Sequence, residues 1–304
     1  MYAIDLGKSG LKVPTVAVGC MRISNMTEKE MAAFVDTALE NGANYFDHAD
    51  FYGDFQSEVV FGKAIAPSMR DNILVQTKCG IRIGGLYDFS YDHIVGSVEG
   101  SLKRLGMDYV DVLLLHRPDT LMEPEEVARA FDHLKTSGKV RHFGVSNHNP
   151  YQIQLLQSAL DMPLCANQMQ FGVMHAPMIQ SGINVNMYND SATVRDGGLL
   201  EFCRLNNITI QPWSPMQYGF FEGCFIDNDK FPELNATLQK IGDKYGVSKT
   251  TMAFAWILRH PAKMQPVTGT TNLTRLADCL KAADVRITRE EWYEIYRAAG
   301  NIIP

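Results

Sequence analysis

The stretch Asn44-Tyr45-Phe46-Asp47-His48-Ala49-Asp50-Phe51-Tyr52-Gly53 begins as a short apolar strand and ends in a run of acidic and aromatic residues. Buried strand ends seldom carry ionisable groups unless those groups are paired or used in function. Taken alone, the stretch fits a turn, in which Asp47 or Asp50 bonds local backbone, as well as it fits a functional site. The rest of the chain decides between these two interpretations.

The same arrangement, an apolar strand followed by a helix, recurs along the chain. Residues 109–115 form a near-continuous apolar run, which is typical of a parallel strand covered on both faces. Strand–helix alternation predicts an α/β protein with a parallel sheet, and eight units predict closure into a (β/α)8 TIM barrel. The predicted barrel strands are residues 16–19, 45–47, 73–78, 109–115, 142–145, 165–168, 208–211 and 264–267.

Elements outside the barrel strands are also predicted. An N-terminal β-hairpin is expected from residues 2–6 and 11–14 around a Gly-rich turn, and an added C-terminal helix from residues 290–299. Residues 171–198 and 216–230 lack periodicity and are predicted to be long loops. With no linker between them, these parts predict a single domain over residues 1–304. The other predicted helices are residues 27–41, 57–65, 90–105, 123–137, 150–160, 199–206, 231–245, 248–258 and 272–283.

Composition excludes several classes of function. The chain of 304 residues has a net charge of −6 and no basic run, which argues against a nucleic-acid partner. Its six cysteines are scattered without a C-x-x-C pair, so we expect reduced thiols and no metal site or disulfide framework. We find neither a signal peptide nor an apolar run long enough to cross a membrane. We therefore expect a cytoplasmic protein with no membrane partner.

Polar residues follow the predicted strands, whose carboxyl ends meet at one rim of such a barrel. Strand two ends in Asp47 and then Tyr52, strand three in Lys78 and strand four in His116. Each could be a salt-bridge partner or a solvated rim residue, but an accidental convergence of all four is much less expected. Strands five to seven supply Ser146, Asn147, Gln168, Trp213 and Ser214.

These four side chains suggest a specific chemistry. A lysine ammonium stabilises a phenolate, so Lys78 is expected to lower the pKa of the Tyr52 phenol. Asp47 would hold Lys78 charged and in place, and His116 could bond the same oxygen as the phenol. The four together could protonate a carbonyl oxygen while another group delivers hydride to the carbonyl carbon.

Five blocks of the sequence resemble segments of one family, the aldo-keto reductase superfamily. Phe46-Asp47-His48-Ala49-Asp50-Phe51-Tyr52-Gly53, with the following Ser57-Glu58, resembles its F-D-x-A-x-x-Y-G…S-E signature. The histidine after the signature aspartate is similar to that of bacterial oxidoreductases related to potassium-channel β subunits. The likeness covers nearly the whole chain. The other blocks are LLLHRPD at 113–119, GKVRHFGVSN at 138–147, PWSP at 212–215 and EEWYEIY at 290–296.

The resemblance implies an NADPH-dependent reductase of a small carbonyl substrate. Tyr52 would be the proton donor, with Asp47, Lys78 and His116 as its partners. The resemblance places Ser146, Asn147 and Gln168 at the nicotinamide carboxamide and Trp213 against the nicotinamide ring. It also places Met21, Arg22 and Asp47 beside the cofactor, and Ser214, Pro215, Met216, Gly219 and Phe220 in the loop at the pyrophosphate.

The adenosine end of the cofactor site departs from the family pattern. Thr270 and Arg275 fit contacts to a 2′-phosphate, for which the forked guanidinium of arginine is suited. Gly269 and Cys279 stand where many family members have Lys and Asn, which leaves the phosphate fewer donors. The resemblance therefore favours NADPH without excluding NADH. The matching segment at this end comprises Thr268, Gly269, Thr270, Arg275, Asp278 and Cys279.

Two other functions compete with the reductase. One is a regulatory subunit that binds NADP(H) and turns over slowly, which the resemblance to channel β subunits permits. The other is a metal-dependent hydrolase barrel, which would need a cluster of metal ligands such as paired histidines on strand one. Both rank below the reductase, because all four residues Asp47, Tyr52, Lys78 and His116 are present and no such cluster is seen.

Overall fold

Seven parallel strands form one curved sheet in the computed structural model, which describes residues 3–304. Each strand pairs with the next along the chain, as expected where every strand is followed by a helix that returns the chain to the same edge. The barrel strands are β1 (Val18–Gly19), β2 (Tyr45–Asp47), β3 (Leu74–Cys79), β4 (Val110–Leu115), β5 (Val140–Ser146), β6 (Leu164–Gln170) and β7 (Thr209–Trp213).

Residues 264–267, predicted as the eighth strand, close the barrel through backbone bonds rather than a regular strand. Gln265 and Val267 donate N–H bonds of 3.0 and 2.9 Å to β7. On the other side, Ala17 donates to the carbonyl of Pro266 at 2.9 Å and forms a parallel bridge with Val267. Pro266 has no N–H to donate, which shortens the ladder. The predicted (β/α)8 barrel is confirmed, with an irregular eighth strand.

Helices surround this sheet and leave its carboxyl end open. None of the helices in residues 3–304 has the length and apolar character needed to cross a membrane. The α-helices of the described residues are α1 (Glu28–Glu40), α2 (Gln56–Ala64), α3 (Tyr91–Leu105), α4 (Pro124–Thr136), α5 (Pro150–Gln157), α6 (Pro177–Ile183), α7 (Leu199–Asn206), α8 (Pro232–Tyr245), α9 (Lys249–Leu258), α10 (Leu273–Lys281) and α11 (Arg289–Ala298).

The two segments predicted as loops contain short regular elements. Residues 171–198 include α6, whose Met178 and Ile179 are buried in the core. Residues 216–230 form a small hairpin of two-residue strands. The prediction of long loops was therefore wrong in part, because elements of two to seven residues are too short to give a periodic signal.

The N-terminal hairpin closes one end of the barrel. Its strands, Ala3–Asp5 and Lys12–Pro14, pair antiparallel, and Tyr2 of the predicted first strand lies outside the described residues. Leu6 and Val13 pack with buried residues of the barrel interior. Because the backbone N–H of Gly7 also bonds the Thr209 hydroxyl at the start of β7, this is the amino end of the strands.

The added C-terminal helix is confirmed as α11 and is anchored by aromatic stacking. Thr288 and Glu291 form a capping box that satisfies backbone groups at its first turn. Trp292 stacks on Trp256 of α9 with ring centroids 4.8 Å apart, and each indole N–H donates to the other residue's backbone carbonyl at 3.1 Å. Both indoles are thus buried with their polar groups satisfied.

We predict opposite stability effects for two glycine-to-alanine changes in neighbouring helices. A Cβ at Gly62 in α2 would lie 2.5 Å from the carbonyl oxygen of Leu105, so Gly62→Ala should destabilise the fold by about 1–3 kcal/mol. A Cβ at Gly96 in α3 would meet nothing within 4 Å, so Gly96→Ala should stabilise by up to about 1 kcal/mol. Urea unfolding of both variants checks this; equal effects would show that α2 and α3 are not in close contact.

Candidate active site

Lys78 lies at the centre of the residues that the sequence predicts to act together. Its side chain is fully buried at the end of β3, and its Nζ lies 2.8 and 2.9 Å from the two carboxylate oxygens of Asp47. Nζ also donates to the backbone carbonyl of His48 at 2.7 Å and to the Tyr52 hydroxyl at 3.1 Å. The predicted association of Asp47, Lys78 and Tyr52 is present in the structure.

The carboxylate of Asp47 is held by two glutamine amides in addition to Lys78. Gln76 Nε2 donates to Asp47 Oδ1 at 2.5 Å, and Gln168 Nε2 donates to the same oxygen at 3.1 Å. Gln211 Oε1 accepts from both glutamines, at 3.0 and 3.3 Å. The sequence analysis missed Gln76 and Gln211. Gln76 precedes Lys78 by two residues on one strand, so both face the barrel interior, and this spacing was the available signal.

Burial dominates the protonation of Tyr52. Removal from water raises the pKa of its phenol above 10.0, although Lys78 pulls that pKa down. The prediction of a lowered pKa was therefore wrong in its net direction, because desolvation of the phenolate outweighs the lysine in this site. Burial also disfavours the charged form of Lys78, but Asp47 and Tyr52 raise its pKa above the ordinary value, so the ammonium stays charged.

His116 is a neutral imidazole beside the phenol. Burial, and then the charges of Lys78 and Arg117, hold its pKa well below 6.5. Its ring meets the Tyr52 ring edge-on with centroids 5.8 Å apart, and its Nδ1 is buried without a hydrogen-bond partner. His116 is thus placed to contact a group at the phenol, where its one N–H can donate a hydrogen bond, but it has no imidazolium proton to release at neutral pH.

The neighbouring His48 belongs to the apolar core. Burial and then Lys78 lower its pKa to about 3, and its ring packs edge-on against Phe61 with centroids 4.5 Å apart. Neither ring nitrogen has a hydrogen-bond partner. The part of His48 that reaches the site is its backbone carbonyl, which fixes Lys78.

An open cleft of about 1090 Å³ lies above these residues at the carboxyl ends of the strands. Tyr52 and His116 line it, whereas Lys78 lies beneath it and reaches it through Tyr52. The predicted cofactor residues that line the cleft are Met21, Arg22, Asp47, Ser146, Asn147, Gln168, Trp213, Ser214, Pro215, Met216, Thr268, Gly269, Thr270, Arg275, Asp278 and Cys279.

Gly219 and Phe220, predicted in the loop at the pyrophosphate, do not line the cleft. Gly219 has φ +58° at the turn of the small hairpin, and the turn directs Phe220 into solvent, where it is 67% exposed. The next residue, Phe221, lines the cleft instead and stacks on Trp213 with centroids 5.9 Å apart. A shift by one residue in a tight turn reverses the direction of a side chain, and sequence spacing does not resolve it.

A hydrogen-bonded series of side chains forms one end of the cleft. Trp213 Nε1 donates to Asn147 Oδ1 at 3.1 Å, and Asn147 Nδ2 donates to the Ser146 hydroxyl at 2.8 Å. Ser146 in turn donates to the backbone carbonyl of Gln168 at 2.9 Å. Asn147 and Ser214 have φ of +60° and +50°, a left-handed conformation that is uncommon for non-glycine residues.

Positive side chains lie at the other end of the cleft. Arg22 reaches across its mouth and donates to the backbone carbonyl of Gly269 at 2.7 Å. Arg275, exposed in the first turn of α10, has no carboxylate partner among residues 3–304. Lys249, at the start of α9, also lines the cleft and pairs with Asp227. Sequence analysis missed the α9 residues Ser248, Lys249 and Thr250, which no motif distinguishes.

Two acids of the segment 46–58, Asp50 and Glu58, are buried. Glu58 is fully buried and satisfied, since it accepts from the Thr77 hydroxyl at 2.6 Å and pairs with Arg104 at 2.8 Å. Asp50 is nearly buried and accepts from the backbone N–H of Phe51 at 2.8 Å. Burial, and then the charge of Glu58, raise the pKa of Asp50 from 3.8 to about 7.

Known proteins resemble this chain over nearly its full length. A sequence profile of the Aldo/keto reductase family matches residues 15–299. A protein of Agrobacterium fabrum described as 6-dehydroglucose reductase is 36% identical over 305 residues, with 95% of each chain covered. An Arabidopsis thaliana protein described as a probable voltage-gated potassium channel subunit beta is 28% identical over 310 residues, covering 92% of this chain and 90% of that one. The crystal structure of a thermostable aldo-keto reductase, Tm1743, with the inhibitor epalrestat matches with a TM-score of 0.79 at 25% identity, covering 98% of this chain and 100% of that one.

We predict that Asp50 makes the folded protein less stable as pH rises. Because its folded pKa is raised, its contribution to stability is present below pH 4 and is lost as pH passes about 7. Asp50→Asn keeps the acceptor for the Phe51 N–H and removes the buried charge. It should therefore stabilise the protein by at least about 1 kcal/mol more at pH 8 than at pH 5.

Thermal unfolding at the two pH values measures the effect of Asp50→Asn. Asp71→Asn, which changes an exposed aspartate, is the matched control. A stability gain that is the same at pH 5 and pH 8 would show that Asp50 does not titrate in this range.

Proposed function

This chain belongs to the aldo/keto reductase family, and from that premise we propose that it is an NADPH-dependent oxidoreductase that reduces a small aldehyde or ketone to an alcohol. The observation that carries the proposal is the buried Lys78, whose ammonium joins the carboxylate of Asp47 to the hydroxyl of Tyr52 at the floor of the cleft. In this proposal Tyr52 is the proton donor. The Agrobacterium fabrum relative is described as a reductase, which supports the direction of the reaction.

The cleft fits an extended dinucleotide. At one end, Gln168 uses its amide N–H groups on Asp47 and Gln211, so only its oxygen remains to accept from a carboxamide N–H. At the other end, Arg275 offers a guanidinium with no carboxylate partner among the described residues. An aromatic surface at one end and an unpaired cation at the other suit a nicotinamide ring and a phosphate.

The protein residues would hold and activate the two reactants. Trp213 and Gln168 would hold the nicotinamide, and Arg275 with Thr270 would hold the 2′-phosphate. When bound, the cofactor supplies the hydride that the carbonyl carbon accepts. The chain's own contribution is to orient the carbonyl and to deliver a proton to its oxygen.

Proton delivery depends on Tyr52 and Lys78. The raised pKa keeps the phenol protonated until a carbonyl oxygen begins to gain negative charge. The Lys78 ammonium, 3.1 Å from the phenol oxygen, then stabilises the phenolate that is left. This stabilisation is strong because the pair lies in a low-dielectric site. Neutral His116 would donate a hydrogen bond that orients the carbonyl beside Tyr52.

A regulatory subunit with slow turnover is the second candidate, and the similarity to an Arabidopsis thaliana protein described as a channel subunit beta is the observation that favours it. The two candidates differ in rate, not in cofactor binding. Oxidation of NADPH in the presence of 4-nitrobenzaldehyde or a diketone separates them, since the reductase turns over steadily and the regulatory subunit binds NADPH with little turnover.

We predict that Tyr52→Phe abolishes most carbonyl reduction without loss of the fold. The change keeps the ring and removes only the acidic hydroxyl, so NADPH affinity, measured by fluorescence titration, should be unchanged. General acid catalysis contributes about 10²–10⁴-fold, and turnover should fall by that order. Lys78→Met should be similarly damaging, because Asp47 loses its cation and the phenol loses its stabilising charge.

His116→Ala distinguishes the two possible proton donors. If Tyr52 is the donor, His116→Ala should weaken the orientation of the substrate. The reduction rate of this variant should still depend on pH through the ionisation of the Tyr52 phenol. If Tyr52→Phe keeps most of its turnover while His116→Ala loses it, the histidine is the donor and the proposed role of Tyr52 is wrong.

We predict that Arg275 sets the preference for NADPH. Loss of a charge-assisted hydrogen bond costs about 1.5–3 kcal/mol, so Arg275→Ala should weaken NADPH binding by that amount and leave NADH binding nearly unchanged. Arg289→Ala, which removes an exposed arginine at the start of α11, is the control. Equal losses for NADPH and NADH in Arg275→Ala would contradict a contact with the 2′-phosphate.

A further inference from the structure

Both ends of the Gln76 side-chain amide are hydrogen-bonded inside the barrel. It is fully buried, and its Nε2 donates to Asp47 Oδ1 at 2.5 Å and to Gln211 Oε1 at 3.0 Å. Its Oε1 accepts from the hydroxyl of Tyr45 at 2.7 Å. Asp47 and Gln76 are register partners on β2 and β3, so the contact is built into the pairing of these two strands.

The hydroxyl of Tyr45 favours the orientation in which the N–H₂ end of the Gln76 amide faces Asp47. Burial raises the pKa of Tyr45 well above 10.0, so its hydroxyl stays a donor and takes the amide oxygen. The amide N–H₂ must then point to the carboxylate, which can only accept. Without the Tyr45 hydroxyl, the amide could turn and direct its oxygen at Asp47, where two negative atoms would repel each other.

Other glutamines fix the same orientation from the opposite side. Gln211 Nε2 donates to Gln265 Oε1 at 2.8 Å, and Gln265 Nε2 donates to the backbone carbonyl of Pro14 at 2.7 Å. The oxygen of Gln211 is therefore directed at Gln76 and Gln168. Hydrogen bonds thus connect Asp47 to the hairpin at the amino end of the barrel: Gln76 Nε2 donates both to Asp47 and to Gln211, and donation continues from Gln211 to Gln265 and from Gln265 to Pro14.

We infer that Gln76 and Tyr45 are positioning residues of the reductase site, which act on Tyr52 through Asp47 and Lys78. The inference rests on the proposed role of Tyr52 as proton donor. Gln76 holds the Asp47 carboxylate where it keeps the Lys78 ammonium 3.1 Å from the phenol oxygen. Neither Gln76 nor Tyr45 lines the cleft, so neither touches substrate or cofactor.

The first test uses the protein without cofactor. Titration of ¹³Cζ-labelled tyrosine by NMR, with the Tyr52 signal identified in Tyr52→Phe, reports the pKa of the phenol directly. Gln76→Leu frees the Asp47 carboxylate from one donor and loosens Lys78, and both changes should raise the pKa of Tyr52. Gln157→Leu is the matched control, because this glutamine also uses both ends of its amide, bonding Leu164 and Met162, but lies at the end of α5 away from Asp47.

The second test is kinetic. Because a displacement of about 1 Å at a reacting group can cost on the order of 10²-fold, kcat of Gln76→Leu should fall at least about tenfold. The alkaline limb of its pH–rate profile should move upward, while the Kd of NADPH stays unchanged. Gln157→Leu should keep both kcat and the limb, although it loses comparable hydrogen bonds.

Tyr45→Phe provides a second variant that preserves volume and fold. It should shift the pKa of Tyr52 and the alkaline limb of the pH–rate profile in the same direction as Gln76→Leu. If Gln76→Leu does not fold, Tyr45→Phe alone tests the inference. A Tyr52 pKa and a pH–rate profile equal to those of Gln157→Leu would overturn the inference. If the unaltered protein reduces no carbonyl compound, the proposed function fails, and the NMR titration still tests the coupling of Gln76 to Tyr52.

Discussion

The ion pair of Lys78 with Asp47, removed from water, is the contact on which the rest of the site depends. An unpaired ammonium in an apolar interior is strongly unfavourable, and Lys78 avoids this by giving its three N–H donors to three oxygens. Those oxygens come from Asp47, His48 and Tyr52, so residues 47–52 are arranged around the Lys78 ammonium. Of the three, Asp47 carries the compensating charge, so its removal would leave the buried ammonium without a counter-ion.

Strand register makes this contact possible. The pairing of β2 with β3 aligns Asp47 with Gln76, and Lys78 follows two residues later on the same face. The Asp47 carboxylate therefore meets an amide beside it and an ammonium above it. A slip of one residue would turn both away from the barrel interior, which is why the apolar pattern of the strands also controls the chemistry of the site.

The repeated strand–helix units and the polar residues at the strand ends could be predicted from the sequence. Contacts between segments that are distant in the sequence were predicted less successfully. Eight strand–helix units and the convergence of Asp47, Lys78 and Tyr52 could be predicted because parallel strands present their carboxyl ends to one rim. The family resemblance was confirmed, since a family profile matches residues 15–299. The net pKa direction of Tyr52 could not be predicted, because it depends on how completely the fold excludes water. Whether Phe220 or Phe221 lines the cleft depends on the conformation of a single turn. The roles of Gln76 and Gln211 depend on amide orientations that only the assembled barrel fixes.

The irregular eighth strand has a mechanical consequence. Few backbone hydrogen bonds join β1 to residues 264–268, and this join is the seam of the barrel. The two segments approach closely at Gly19, because a Cβ at that position would collide with the carbonyl oxygen of Thr268. The cleft spans this seam, with Met21 and Arg22 on one side and Gly269 on the other. A ligand that fills the cleft contacts both sides of this join and holds them together. By mass action its binding free energy is added to the work needed to open that join.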